Sequence, residues 1–121
     1  MIRDKNKRRL GATAERAVRT YLEQHGIAVL KMNYRCRQGE VDVIAKDGDY
    51  YIFIEVKYRN SVRYGMPQDA VDMKKQHRIS KTALYYLYSH GLGEDTPVRF
   101  DVAAIVENKI HYIKNAFDYC G

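Results

Sequence analysis

The chain has 121 residues, 45% of them hydrophobic and 30% charged, and its formal net charge is +6 at pH 7. This length and composition predict a single domain, residues 1–121, with one hydrophobic core, and they exclude a disordered chain and a membrane-spanning one. The excess of lysine and arginine favours a polyanionic partner, most simply nucleic acid.

The first nine residues are polar and basic, and no apolar stretch follows them. We therefore expect neither a signal peptide nor a membrane anchor, and we expect residues 1–9 either to be flexible or to join the first helix. The two cysteines, Cys36 and Cys120, are too few for a disulfide framework and lack the spacing of a metal site. These features together predict a cytoplasmic protein with reduced thiols.

Hydrophobic periodicity and turn residues predict two helices and five strands in the order α-β-β-β-α-β-β, which is an α/β fold. In chain order, the predicted bounds are a helix from Leu10 to the stop residue Gly26, strands at 27–34, 41–46 and 50–57, a loop at 59–69, a helix at 68–90, and strands at 98–106 and 110–113. Residues 51–54 of the third strand are continuously apolar, which indicates a central strand covered on both faces.

Acidic residues are predicted to gather on the hairpin of the second and third strands. Asp47-Gly48 is a strong signal for a two-residue turn. If these two residues are the centre of the turn, Asp42 pairs with Phe53, and Glu40 pairs with Glu55. Asp42 is then the diagonal neighbour of Glu55, at about 7–8 Å between backbones.

Side chains alternate between the two faces of a strand, so Phe53, Glu55 and Lys57 share one face with Asp42. The side chains expected on the opposite face are those of Ile52, Ile54 and Val56. Glu-x-Lys on a strand is also typical of a solvated face with a cross-strand salt bridge. A functional site is favoured because the Glu and Lys interrupt an apolar strand, an acid lies on the adjoining strand, and the chain as a whole is basic.

The chemistry of these groups points to phosphodiester hydrolysis. Grouped carboxylates repel one another, and a divalent cation would offset that repulsion. Hard oxygen ligands from Asp42, Glu55 and Glu40 suit Mg²⁺ or Mn²⁺ better than zinc. Lys57 can stabilise negative charge on a phosphate, or orient and deprotonate an attacking water. Glu40 is either a metal ligand or a cap on the start of its strand.

Asp42 followed by Glu55-Val56-Lys57 resembles the PD-(D/E)xK signature of restriction-endonuclease-like nucleases, although Val41 replaces the proline. The resemblance implies a restriction-endonuclease-like core, in which helices flank a mixed sheet in three layers. Almost the whole chain, from residue 11 to residue 117, is also similar to the YraN family. The segments that carry this similarity include Ala14-Glu15, Asn33-Tyr34-Arg35, residues 39–45, residues 53–57 and residues 99–102.

Members of that family are bacterial proteins without a characterised activity, assigned as endonucleases through their similarity to archaeal Holliday-junction resolvases. In those relatives the strand Asp and Glu bind the metal, the Lys is catalytic, and a Glu on the first helix completes the site. The resemblance carries these roles to Asp42, Glu55, Lys57 and Glu15. It implies a metal-dependent endonuclease acting on structured or branched DNA, with DNA favoured over RNA. Because such resolvases act as dimers, it leaves a homodimer open.

For each of the other charged residues, a solvated or structural role is the alternative to a functional one. Candidates for contact with phosphate are Arg35, Arg59, Lys74, Lys75 and Arg78. We expect the last three on the outer face of the second helix, where a basic run is also typical of a merely solvated surface. Glu15 could likewise be only solvated. Asp101 lies in an apolar strand, so a buried pair with a neighbouring arginine is expected rather than catalysis.

The main alternative to an enzyme is a non-catalytic nucleic-acid-binding module that keeps the nuclease fold and acts in a partner complex. The presence of Asp42, Glu55 and Lys57 together favours the enzyme, since a decayed nuclease typically loses one of its site residues. A purely structural protein is disfavoured by an acidic site within a basic domain.

Overall fold

A computed structural model describes residues 2–59 and 71–120, with side chains from residue 13 onward and without that of Arg59. Its elements are α1 (Ile2–Gln24), β1 (Ala28–Cys36), β2 (Gly39–Asp47), β3 (Tyr50–Arg59), α2 (Met73–Ser89), β4 (Val98–Val106) and β5 (Lys109–Phe117). The predicted element order and the α/β class are confirmed.

The five strands form one sheet in the order β1-β2-β3-β4-β5. The pair β3–β4 is parallel and the other three pairs are antiparallel. A parallel pair requires a crossover connection, and α2 lies in the segment between β3 and β4. The sheet is therefore mixed, and β3 is its central strand.

Each face of the sheet is covered by one helix. Phe53 packs with Ile79 and other residues of α2 in one buried cluster. Its neighbour Ile54 packs with Val18 and Leu22 of α1 in a second cluster on the opposite face. Burial of both faces confirms the predicted central strand. Among the residues that the structure describes, neither helix contains an apolar segment long enough to cross a membrane.

Several element bounds differ from the predictions. Helix α1 begins at Ile2, so residues 2–9 join it, which is one of the two expectations for them. Helix α2 begins at Met73 rather than at residue 68, because Asp72 caps it by accepting a hydrogen bond from the backbone N–H of Lys75 at 2.8 Å. Most of the predicted loop at 59–69 lies outside the described residues.

The predicted register of the β2–β3 hairpin is wrong by two residues. Asp47 pairs with Tyr50 and Ile44 pairs with Phe53, so the two central turn residues are Gly48 and Asp49. Gly48 has φ +60, which suits the first central residue of a primed hairpin turn. A two-residue shift keeps every side chain on its face, whereas a one-residue shift would exchange the faces. The predicted faces of β3 are therefore correct although the predicted partners are not.

Candidate functional site

The candidate site lies where β2 and β3 stop pairing. Their ladder ends at the pair Val43–Ile54. Beyond it, the backbone N–H of Val56 donates to Oδ2 of Asp42 at 2.8 Å. The carboxylate thus supplies the acceptor that a continuing strand would have supplied, and this bond fixes its position.

The regular alternation of side chains along β2 is also interrupted at Asp42. Val41 and Val43 are two residues apart and would share one face of a regular strand, but they pack into clusters on opposite faces of the sheet. On the neighbouring strand, Asn33 has a left-handed backbone with φ +54 between the pairs that flank Asp42. Asp42 is therefore at an irregular point of the sheet that groups from both helix layers can reach.

Asp42 and Glu55 are the central carboxylates of the site. Burial of Asp42, and after it the negative charge of Glu55, raise the pKa of Asp42 to about 7, and the charge of Glu15 adds to this. The hydrogen bond from Val56 and the charge of Lys75 oppose the increase. The charge of Glu55 is thus close enough to disfavour the ionised form of Asp42, and a cation between the two carboxylates would relieve the repulsion.

Glu15 reaches the edge of the site from α1. Its Oε2 accepts a hydrogen bond from Nδ2 of Asn33 at 2.8 Å. Sequence reasoning assigned no role to Asn33, although it lies in one of the segments that resemble the YraN family. Asn33 has a left-handed backbone, which asparagine adopts more readily than most residues, but its residue type alone does not report the contact with Glu15.

Two lysines accompany the carboxylates. Lys57 lies on the same face of β3 as Glu55, as predicted. Nζ of Lys75, from the first turn of α2, lies 2.5 Å from Oε1 of Glu55. Burial of Lys57, and then the adjacent positive charge of Lys75, lower the pKa of Lys57. The site therefore combines acidic and cationic groups from β2, β3 and α2.

The expectation that Lys75 lies on the outer face of α2 is wrong. Ile79 and Ala83 form the buried stripe of this helix, and Lys75 precedes Ile79 by four residues on the same stripe. The i, i+4 spacing was the signal that could have placed it inside. Lys74 and Arg78 are exposed, as expected for candidate phosphate contacts.

The prediction that Glu40 lies opposite Glu55 is also wrong, because it rested on the incorrect register. Oε2 of Glu40 is instead 3.0 Å from Nε of Arg35, and the two side chains are 63% and 79% exposed. Glu40 and Arg35 thus neutralise each other on the surface. The side chain of Arg59, a further predicted phosphate contact, lies outside the described residues.

The donor set at the site fits a hard divalent cation. Among the side chains that the structure describes, those of residues 13–58 and 71–120, no group of three or more His, Cys, Asp or Glu could hold a metal ion by itself. Asp42 and Glu55 nevertheless offer one carboxylate each from adjoining strands. Mg²⁺ is bound in many proteins by one or two carboxylates, with waters and substrate phosphates as the remaining ligands. The oxygen ligands of two carboxylates suit Mg²⁺ or Mn²⁺.

A separate charged cluster confirms the expectation for Asp101. Its side chain is fully buried, and Nε of Arg99 donates to Oδ1 at 3.0 Å. The hydroxyl of Tyr112 and the backbone N–H of Asn115 also donate to this carboxylate. These bonds join β4 to β5 and indicate a structural role.

Comparison with known proteins matches residues 14–105 to a family model described as "Uncharacterised protein family UPF0102". The chain is 47% identical over 116 residues to a UPF0102 protein of Lachnoclostridium phytofermentans, covering 96% of this chain and 98% of that protein. It is 46% identical over 114 residues to one of Syntrophus aciditrophicus, covering 91% and 89%. A third, from Aliivibrio fischeri, is 40% identical over 119 residues, covering 96% and 97%. The span matched by the family model includes all the site residues described above.

Proposed function

We propose that this chain, which belongs to the uncharacterised protein family UPF0102, is a metal-dependent endonuclease that hydrolyses phosphodiester bonds in structured or branched DNA. The observation that carries the proposal is the meeting of Asp42, Glu55 and Lys57 where two central strands separate. A restriction-endonuclease-like core belongs to the same proposal. The element order and the mixed sheet between two helices support it.

Asp42 and Glu55 would hold Mg²⁺ or Mn²⁺. When bound, such an ion supplies an activated water and neutralises the charge that develops on the phosphate. The backbone N–H of Val56 donates to one oxygen of Asp42, and this bond fixes the orientation of the carboxylate. Burial of Glu55 and partial burial of Asp42 strengthen the electrostatic interaction of these carboxylates with a cation.

Lys57 is the residue that would act on the reacting phosphate. Its position beside Glu55 places an ammonium group near a phosphate that binds at the site. That charge stabilises the negative charge of the transition state. Because its pKa is lowered, Lys57 also exchanges a proton with an attacking water more readily than an ordinary lysine does.

A nucleic-acid substrate agrees with the charge of the protein. The net charge is +6 although the site itself contains acidic groups. Lys74 and Arg78 extend along the exposed side of α2, and the methylenes of Arg78 lie against Gly39 at the start of β2. These two cations of α2 give phosphates of a bound strand points of contact.

The test is cleavage of a panel of branched DNA, duplex DNA, single-stranded DNA and RNA in Mg²⁺ or Mn²⁺. Native protein is compared with Glu55→Gln and Lys57→Met, and Lys109→Met is the control because Lys109 is exposed at the start of β5. We expect the first two substitutions to reduce cleavage by about 100-fold or more while binding is retained. The control should cleave like the native protein.

The same panel separates the enzyme from the non-catalytic alternative. Native protein that binds DNA with a salt-dependent affinity, but cuts no better than Glu55→Gln, would identify a binding module. Absence of both binding and cleavage would contradict both functions.

A further inference from the structure

We infer that Lys75 is an internal counter-ion for Glu55, which a divalent cation displaces when it binds at the site. The inference rests on the function proposed above, and it gives Lys75 a role that is distinct from a phosphate contact on the outer helix surface.

The two side chains of the Lys75–Glu55 ion pair differ strongly in their exposure to solvent. The side chain of Glu55 is 6% exposed, whereas that of Lys75 is 39% exposed. A buried carboxylate without a positive partner is strongly destabilising, so Glu55 must keep a cation close by. The ammonium of Lys75, in contrast, can move into solvent. The arrangement therefore allows the cation at Glu55 to be exchanged while the carboxylate stays in place.

The position of Lys75 in α2 indicates that Glu55, and not the helix, stabilises it there. Lys75 lies in the first turn, and its backbone N–H donates to the capping side chain of Asp72. Positive charge is unfavourable at the N-terminal end of a helix, because the macrodipole is positive there. The capping carboxylate of Asp72 offsets part of this charge, and no acidic residue in the first turn adds to it. The attraction of Glu55 supplies the rest of the compensation.

The neighbouring groups favour displacement of Lys75 by a metal. Lys57 already lies beside Lys75, so two like charges are adjacent. A divalent cation bound by Asp42 and Glu55 would add further positive charge and repel the ammonium of Lys75 toward solvent. A phosphate of a bound nucleic acid is then the available anion for Lys75. In the metal-bound complex Glu55 therefore pairs with the metal instead of Lys75, and Lys75 pairs with the phosphate instead of Glu55.

The experiment measures Mn²⁺ affinity by calorimetry for native protein, Lys75→Met and Lys81→Met. Lys81 is the matched control, because it is exposed on the same helix and its substitution changes the net charge equally. We expect Lys75→Met to bind Mn²⁺ about tenfold more tightly than native protein, since the competing ammonium is gone. Lys81→Met should stay within about twofold of native. Equal affinities of the two variants would overturn the inference.

Thermal melting gives a second readout. In EDTA, Lys75→Met should melt below native protein, because Glu55 loses its partner, and Mn²⁺ should remove most of that difference. If Lys75→Met fails to fold, the stability of the double variant Glu55→Gln/Lys75→Met tests the inference instead. In EDTA this double variant should be as stable as Glu55→Gln alone. If it is less stable than Glu55→Gln, Lys75 stabilises the fold without Glu55 and the inference is wrong.

The outcomes also separate this inference from the proposed function. If native protein binds Mn²⁺ and Lys75→Met binds it no more tightly than the control, only the counter-ion role fails. If native protein and both variants bind no Mn²⁺, the proposed metal site fails and the inference fails with it.

Discussion

Asp42 shows how one residue can serve a site at a cost to stability. Its pKa is about 7 in the folded protein and near 3.8 as a free side chain. Between these values the native state holds more protons than the unfolded chain, so the free energy of unfolding decreases as pH rises from about 4 to about 7. A group retained under such a penalty is typical of a functional site.

Asp42→Asn should therefore stabilise the metal-free protein at pH 8. Asparagine keeps an oxygen that can accept from the N–H of Val56 but carries no charge. We expect a gain of about 2 kcal/mol at pH 8 and almost none at pH 4, from urea unfolding in EDTA. Asp49→Asn, in the exposed turn, is the control and should change little at either pH. A variant less stable than native at pH 8 would contradict the raised pKa.

Asn33 and Lys75 complete the site at the residue scale. Asn33 holds Glu15 at the edge of the site, and Lys75 neutralises Glu55. Neither role follows from the three-residue motif of Asp42, Glu55 and Lys57. Each depends on a side chain from an element far away in the sequence, which local patterns do not report.

At the scale of elements, Gly39 allows the β1–β2 hairpin to lie close to α2. Its φ is +147, and a Cβ at this position would lie 2.9 Å from Oγ1 of Thr82. Side chains rarely adopt this backbone, and Thr82 is fully buried in α2. The glycine therefore sets the approach of the helix whose first turn carries Lys75.

Substituting alanine at two glycines compares a crowded position with an open one. Gly48 also has a left-handed backbone, with φ +60, but no atom lies within 4 Å of a Cβ built there. We expect Gly48→Ala to lower the free energy of unfolding by about 1 kcal/mol and Gly39→Ala by about 3 kcal/mol. Urea unfolding followed by circular dichroism measures both. Equal losses would mean that contact with Thr82 is unimportant.

For the β2–β3 hairpin, the predicted faces of β3 are correct and the predicted strand partners are wrong. The alternation along β3 predicts correctly that Glu55 lies on the opposite face from Ile52 and Ile54. The structure adds that α2 covers the face of Glu55 and α1 covers the other face. The turn was placed one residue early, which moved every strand partner by two positions. Glu40 was consequently assigned to the site, whereas the structure pairs it with Arg35.

At the scale of the whole molecule, charge should govern binding to nucleic acid. The excess of six positive charges is spread over a small domain, with Lys74 and Arg78 exposed next to the site. Cations that contact phosphate release counterions, which makes affinity depend steeply on salt.

Replacing both Lys74 and Arg78 by Gln should weaken DNA binding at low salt. We expect the slope of log affinity against log salt to become shallower by about 2, one unit for each lost phosphate contact. Fluorescence anisotropy between 50 and 200 mM salt measures the slope. The pair Lys109→Gln/Lys114→Gln, exposed on β5, is the matched control. An equal change in both variants would show that net charge alone governs binding.

Local sequence patterns are enough to predict the order of the elements, the central burial of β3 and the shared face of Glu55 and Lys57. These follow from periodicity and turn residues, which act between near neighbours in the chain. Four features are seen only once the chain is folded: the register of the β2–β3 hairpin, the pairing of Glu40 with Arg35, the hydrogen bond of Asn33 to Glu15 and the contact of Lys75 with Glu55. Those features depend on how separate elements pack and on the termination of a strand ladder, where a shift of two residues changes the partners without changing the pattern.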